Sequence, residues 1–169
     1  EAPNFRLMSS PLEHTAEENW EEVIPSRDDV YLSSVEVFRD YLVVTERRNA
    51  LNRIRIRNAE GQWHEVDFEE PAYSASLGVN VEMNTEILRF SFESMRIPDS
   101  TFDYNMRTRQ KSLLKQQKVL GGFDSDNYRT ERLDATAKDG TKIPISLVYH
   151  KSVKRDGTAP LYLYGYGSY

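Results

Sequence analysis

The sequence predicts a mainly β fold made of consecutive four-stranded antiparallel sheets, arranged as in part of a β-propeller. Apolar and polar residues alternate with period two along most of the chain, and helix signals are almost absent. The motif Trp-x-Glu-Val occurs at 20–23 and again at 63–66, and strand centres align at Leu42 and Leu88. Both spacings are close to the roughly 40–50 residues of a propeller blade, so we predict about two and a half blades. A β-sandwich of about eight strands is the alternative that periodicity leaves open.

The first elements predict the end of one blade and a complete second blade. Residues 4–8 and 20–24 are expected to be the last two strands of a preceding blade, so the chain starts within a blade. Short polar turns near Asp40, Asn49 and Gly61 then join four strands as an antiparallel meander. These strands are predicted over 30–37, 41–45, 53–57 and 63–68.

The next segment repeats this order. Strands are predicted over 77–81, 87–92, 101–105 and 112–119. The last of them contains Leu, Lys and Gln, which favour helix, but it occupies the position of the fourth strand and is therefore predicted as a strand.

A domain boundary is predicted in the Gly- and Asp-rich segment 120–127. Residues 1–127 carry an excess of acidic side chains, whereas residues 128–169 carry an excess of basic ones. Beyond the boundary, strands over 130–137 and 142–149 flank an Asp139-Gly140 pair that favours a tight hairpin turn. A further strand is predicted over 160–164, leading into residues 165–169. The predicted domains are therefore 1–127 and 128–169.

The composition excludes several classes of function. The chain has no Cys, which rules out disulfides, thiolate metal sites and a cysteine nucleophile in this stretch. A net charge of −5 argues against binding to nucleic acid, and no apolar run is long enough for a membrane span. His14, His64 and His150 are isolated in the sequence, so we expect no metal site and no cofactor. The lack of an initial Met and the abrupt end lead us to expect an internal piece of a longer protein.

The charged clusters are predicted to be solvated. Glu69-Glu70, like the acidic residues at 17–22, reads as an exposed turn, with attraction of cationic peptides as the alternative. Arg53, Arg55 and Arg57 alternate along one strand and are interpreted as an exposed face, with interdomain ion pairs as the alternative.

The last forty residues resemble a known family. Residues 131–133, 137–149 and 160–169 are similar to the opening of the catalytic domain in the prolyl oligopeptidase family of serine peptidases. Ser168-Tyr169 and the segment 114–124 resemble the oligopeptidase B branch of that family. The resemblance implies a seven-bladed propeller that caps an α/β-hydrolase domain. Residues 1–127 would then be the C-terminal blades of the propeller, and residues 128–169 would start the hydrolase domain.

The resemblance also implies roles for two tyrosines. The Ser, Asp and His of the catalytic triad would all follow Tyr169, because the triad comes after the first strands of such domains. Tyr166 matches the tyrosine whose hydroxyl donates to the oxyanion, and Tyr169 matches an aromatic residue that lines the pocket for the residue before the scissile bond. Read from the residues alone, Tyr166 is a structural residue in a tight turn between Gly165 and Gly167. Ser168 does not fit a Gly-x-Ser-x-Gly nucleophile motif, since Tyr166 stands two residues before it.

The function implied by the resemblance is hydrolysis of short peptides after Arg or Lys by acyl transfer, with the propeller acting as a size filter. The expected partners are short cationic peptides, with no nucleic acid and no membrane, and the chain is expected to associate with itself through open sheet edges and apolar sheet faces. The resemblance implies a cytoplasmic protein, with the periplasm as the alternative. The other functions left open are a prolyl oligopeptidase with proline specificity and a non-enzymatic β-propeller interaction module.

Overall fold

A computed structural model describes residues 2–165, and within this range the chain forms four separate antiparallel sheets. The first sheet has two strands, β1 (Leu7–Ser9) and β2 (Glu21–Ile24). They correspond to the two strands that were expected to end a preceding blade. A single 3-10 turn at Glu17–Asn19 leads into β2.

The second sheet is a four-stranded meander of consecutive strands. It consists of β3 (Val30–Val37), β4 (Tyr41–Arg48), β5 (Leu51–Asn58) and β6 (Trp63–Glu65), and the order in the sheet follows the order in the chain. β4 and β5 pair without a register shift from Tyr41 opposite Asn58 to Arg48 opposite Leu51. The predicted sheet is confirmed, with strand ends that differ by a few residues.

The third sheet repeats this meander. It consists of β7 (Tyr73–Leu77), β8 (Ile87–Ser94), β9 (Ser100–Asn105) and β10 (Lys111–Gln116). The expected strand over 77–81 was wrong in its bounds, because Tyr73, Ala75 and Leu77 make the inward-facing contacts. Val79 and Val81 remain largely exposed. Asn80 bonds instead through its side chain, which accepts from the Arg89 amide at 2.7 Å and donates to the Arg89 carbonyl at 3.1 Å.

The main core lies between the second and third sheets. Ile54 and Ile56 of β5 and Leu88 and Phe90 of β8 are fully buried in it. The segment after β6 crosses from the edge of one sheet to the start of the next and carries Phe68 into this core. The second and third sheets therefore bury one face against each other, as neighbouring blades do in a propeller.

The repeat in the sequence corresponds to equivalent positions in successive sheets. The first Trp-x-Glu-Val motif overlaps β2 and the second contains β6, and each strand is the last of its sheet. Within each described sheet, every connection joins neighbouring strands, whereas Greek-key connections in an immunoglobulin-like sandwich pass between sheets. The meanders favour blades over the sandwich.

The face of the third sheet that points away from the core is polar. Arg89 and Asp103 lie opposite each other on it and form a two-bonded ion pair at 2.8 and 2.9 Å. Ser91 and Thr101 form the next pair on the same face. Period-two alternation in β8 puts Leu88, Phe90 and Phe92 on the other side, in the core.

A hairpin follows the 3-10 turn at Ser125–Asn127. β11 (Tyr128–Thr136) and β12 (Lys142–His150) pair only with each other, as predicted for the segment after the second complete sheet. Gly140 sits in the turn with φ of 89°, a left-handed conformation that costs glycine little. The strand predicted over 160–164 is absent, because no described strand lies beside these residues and Leu161 to Tyr164 are exposed.

Candidate functional site

Tyr166 and Tyr169 lie outside the described residues. The structure follows the chain as far as Gly165, through an exposed stretch without regular structure. Their roles in an oxyanion hole and a substrate pocket therefore stay predictions.

One end of the blade strands, where the β4–β5 turn lies, faces the β11–β12 hairpin. The Arg132 guanidinium on β11 donates to the backbone carbonyl of Asn49, in the turn between β4 and β5. Asn52, at the start of β5, donates to the carbonyl of Ala75 in the next sheet at 3.2 Å. Burial raises the pKa of Tyr73, at the start of β7, although Arg53 and Arg132 oppose the shift. The hairpin therefore contacts the blades at this end of their strands.

A cavity of about 400 Å³ opens at this end of the strands, and we call it the acidic recess. Four carboxylates and one guanidinium lie in its wall, together with apolar and aromatic side chains. The lining residues are Leu51, Arg53, Glu65, Val66, Asp67, Phe68, Glu69, Glu70, Pro71 and Tyr73.

The segment between β6 and β7 shapes the recess. Phe68 anchors it, with its ring centroid 4.7 Å from that of Tyr73 and 5.2 Å from that of Phe92. Glu69 adopts a left-handed φ of 57°, and its backbone N–H donates to Asp67 Oδ1 at 3.0 Å. The buried aromatic ring thus fixes a strained turn that brings successive acidic side chains to one cavity.

Glu70 departs from the expected solvated turn. Its side chain is only 4% exposed and is paired with the Arg96 guanidinium, whereas the side chain of Glu69 is 75% exposed. The Oε2 atom of Glu70 is buried without a hydrogen-bond partner. Arg53 donates to Glu65 at 2.6 Å, yet its Nε is also buried without a partner. One acceptor and one donor in the wall of the recess are therefore unmatched.

A second buried carboxylate was missed by the sequence analysis. Glu46 on β4 has a side chain that is 3% exposed, and its Oε1 is paired with Arg27 and with Arg55, the latter at 2.8 Å. The Arg55 guanidinium also lies 4.6 Å from the centroid of the Trp63 ring. The view of Arg55 as part of a merely exposed face was therefore wrong. A lone acid in an apolar strand, opposite alternating arginines, was the signal available.

The histidines are not brought together. His64 lies beside a second cavity of about 390 Å³ at the opposite end of the strands. Burial, with a smaller effect of Arg109, lowers the pKa of His64. The His150 ring is 2.7 Å from the Ser152 hydroxyl on the hairpin. Over residues 2–165, no group of three or more His, Asp or Glu residues is placed to hold a metal ion. Over the same range, no helix has the length and apolar character to cross a membrane.

Comparison with known proteins identifies relatives of this chain. It is 44% identical over 169 residues to dipeptidyl aminopeptidase BI of Pseudoxanthomonas mexicana, which covers 99% of this chain and 23% of that protein. It is 33% identical over 168 residues to protease 2 of Moraxella lacunata, which covers 99% of this chain and 24% of that protein. The chain thus spans about a quarter of the length of these curated relatives.

Solved structures and a family model agree with these relatives. Oligopeptidase B from Leishmania major matches with a TM-score of 0.79 at 32% identity, over 92% of this chain and 23% of that one. Residues 1–117 match the family model described as prolyl oligopeptidase, N-terminal beta-propeller domain. The matched residues include the two complete meanders. On this evidence of sequence and fold, the chain belongs to the prolyl oligopeptidase family.

Proposed function

We propose that this chain is part of a serine oligopeptidase that hydrolyses short peptides after Arg or Lys by acyl transfer. The blades of residues 1–127 act as part of a size filter, and residues 128–169 begin the catalytic domain. Tyr166 donates a hydrogen bond to the oxyanion, and Tyr169 lines the pocket for the residue before the scissile bond. The triad lies beyond Tyr169, so this chain alone is inactive.

The observation that carries the proposal is similarity to peptidases over nearly the whole chain, including the hairpin beyond residue 127. The hairpin itself is consistent with the start of a larger domain. Leu133 pairs with Ile145 and Ala135 with Ile143 on one face, and Leu133, Ile143 and Ile145 are 36–49% exposed. Such a face is normally covered by further protein.

The alternatives differ in substrate or in catalysis. Proline specificity has support from the 28% identity to the prolyl endopeptidase of Elizabethkingia meningoseptica. A basic preference is favoured by Ser168-Tyr169 and by the higher identity to protease 2. An interaction module without catalysis is disfavoured, because the similarity includes the segment 128–169 as well as the blades.

The test uses the complete protein and a set of fluorogenic peptides that differ only in the residue before the scissile bond. We expect kcat/KM to be highest for Arg and Lys and at least about a hundredfold lower for Pro and norleucine. A neutral residue before the scissile bond would leave the charge of the pocket without a partner, and this carries a large penalty. A preference for Pro would replace the basic specificity with the proline alternative. No turnover of any peptide, in protein that does not react with a serine-directed phosphonate, would support the module.

The size filter has a separate test. The same Arg-containing cleavage sequence is presented in a short peptide and in an exposed loop of a stable folded protein. Cleavage of the peptide alone is expected, because a propeller that covers the active site excludes folded substrates. Equal rates for both substrates would remove the filter from the proposal without affecting the basic specificity.

A further inference from the structure

The acidic recess has features that the proposed catalytic site does not use. Its wall contains four carboxylates and one guanidinium, an excess of negative charge before the cations just outside the wall are counted. Three of these carboxylates already have partners in Arg53, Lys111 and Arg96. An acidic wall alone would therefore be explained by these ion pairs.

Glu70 provides the second, independent observation. A carboxylate with a 4% exposed side chain has lost its hydration, and burying one of its oxygens without a partner is costly. Arg96 satisfies the other oxygen only. The unmatched Oε2 has the chemistry to accept from a cationic N–H donor, and such charge-assisted bonds are the stronger ones.

The remaining wall suits an organic ligand better than a bare ion. Phe68 and Tyr73 supply aromatic surface, and Arg53 Nε supplies a donor without a partner. Aromatic rings favour contact with ammonium and guanidinium groups and with the alkyl chains that carry them. The free donor of Arg53 complements a carbonyl oxygen next to the cationic group.

We propose that the acidic recess binds a cationic nitrogen of a peptide, with Glu70 as its acceptor and Arg53 as the donor to an adjacent carbonyl. The cation has two sources with this chemistry, a basic side chain and a free amino terminus. The proposal rests on the proposed function only in taking a peptide as the ligand, since binding here needs no catalytic group.

The test measures binding to the full chain by amide chemical shifts, without any turnover. The probes are glycinamide, with a free amino terminus, N-acetyl-argininamide, with a basic side chain, and N-acetyl-norleucinamide, which is neutral. We expect a cationic probe to shift the amide resonances of residues 65–73, with a Kd in roughly the millimolar range, as for other small fragments. The cationic probe that binds identifies the source, and the neutral probe is expected not to bind.

Variants assign the site. Glu70→Gln is expected to weaken binding about tenfold, since it removes the charge of the acceptor. Glu69→Gln, at an exposed side chain, is expected to weaken binding of the cationic probe about threefold. It replaces Glu70→Gln as the test variant if Glu70→Gln lowers the melting temperature. Glu82→Gln, on the exposed connection between β7 and β8, is the matched control and should leave Kd unchanged.

Three results would overturn the inference. They are no saturable shift with either cationic probe, equal binding of the neutral probe, or full affinity in folded Glu70→Gln. Failure of basic specificity in the peptidase assay, with the recess still binding cations, would count against the proposed function and leave this inference standing.

Discussion

Glu46 illustrates what a buried charge requires in this fold. One carboxylate oxygen serves two guanidinium groups, from Arg55 on the neighbouring strand and from Arg27 in the segment before β3. Asn4 donates to the Arg27 carbonyl at 2.8 Å, which ties the start of the chain to the same place. A buried ion pair adds little net stability, but the loss of one member leaves uncompensated charges.

Replacing Glu46 by Gln should therefore destabilise the chain. We expect the free energy of unfolding to fall by about 3 kcal/mol, at the low end for a broken buried pair because both arginines keep some exposure. Urea unfolding followed by tryptophan fluorescence measures it. Glu18→Gln, at an exposed position, is the control and should change the value by less than about 0.5 kcal/mol. Equal effects of the two substitutions would contradict the role given to Glu46.

His64 predicts a dependence of stability on pH. Burial, and to a smaller degree Arg109, lowers the pKa of His64 in the folded chain below its ordinary value near 6.5. The unfolded chain then binds more protons between the two pKa values, so stability falls as pH drops below about 6.5 and is full above it. Urea titrations at several pH values are expected to show this loss, and His64→Gln to reduce it. An unchanged pH profile in His64→Gln would contradict the assignment.

The role proposed for Tyr166 is tested in the complete protein. Tyr166→Phe removes the hydroxyl but keeps the ring, so turnover of amide substrates should fall by roughly 10²–10³ with little change in binding. The loss should be smaller for activated esters, whose tetrahedral intermediates are reached more easily. A rise in KM alone, or unaltered turnover, would make Tyr166 a structural turn residue.

Single residues were the hardest features to predict from the sequence. Glu69-Glu70 looks like a solvated turn, and that is correct for Glu69 but wrong for Glu70. The difference comes from Arg96, which is distant in sequence and reaches Glu70 from the turn between β8 and β9. An ion pair between two connecting segments leaves no periodic signal in either of them. The proposed roles of Tyr166 and Tyr169 depend on resemblance rather than on pattern.

The turn between β4 and β5 shows how an element is set by backbone geometry. Arg48 pairs with Leu51, which leaves a two-residue loop in which Asn49 and Ala50 have φ of 51° and 58°. This is the type I′ geometry that suits tightly twisted hairpins. Asn tolerates the left-handed region, whereas Ala is strained there.

Ala50→Gly should therefore stabilise the hairpin. Relief of strain is about 1–2 kcal/mol, and the added flexibility of the unfolded chain removes about 0.4–1 kcal/mol of that. We expect a net gain of roughly 0.5–1 kcal/mol in urea unfolding. Ala59→Gly, at a turn residue without positive φ, is the matched control and should lose about 0.5 kcal/mol. A loss in both variants would contradict the strain at Ala50.

Whole strands were easier to predict than their ends. Alternation along strands such as β5 and β8 identified the meanders, together with the continuous apolar run in β4, where the adjacent Val43 and Val44 are both fully buried. The position of β7 was wrong because Val79 and Val81 are β-branched but exposed, while Ala75 carries the burial. β10 contains helix-forming residues, yet it pairs with β9, so the neighbouring strand overrides local propensity. The strand expected at 160–164 needs a partner strand that residues 2–165 do not supply.

At the scale of the molecule, the sheets end in open edges. Every residue of β10 is exposed, including Leu113 and Leu114 at 52% and 50%. Lys111, Lys115 and a register shift after Leu113 partly protect this edge. We therefore expect weak, reversible association of the chain with itself.

Sedimentation velocity tests this expectation. The weight-average mass should rise with concentration, and Leu114→Lys should lower it by adding charge to the open edge. Leu12→Lys, at a residue that is 93% exposed and outside any strand, is the control and should have no effect. A monomer at all concentrations would contradict association through the edges.

The meander connectivity also bears on how the polypeptide acquires its structure during synthesis. All partners within a sheet come from one contiguous stretch, such as 30–65 or 73–116, so backbone pairing has a low contact order. At roughly 5–20 residues per second, a ribosome delivers each stretch within several seconds. Ile54 and Ile56, however, are buried only when Leu88 and Phe90 of the next sheet have also emerged. The apolar face of the second sheet therefore stays uncovered until the third sheet has been synthesised. In this interval we expect the nascent chain to be most prone to aggregation and to chaperone binding.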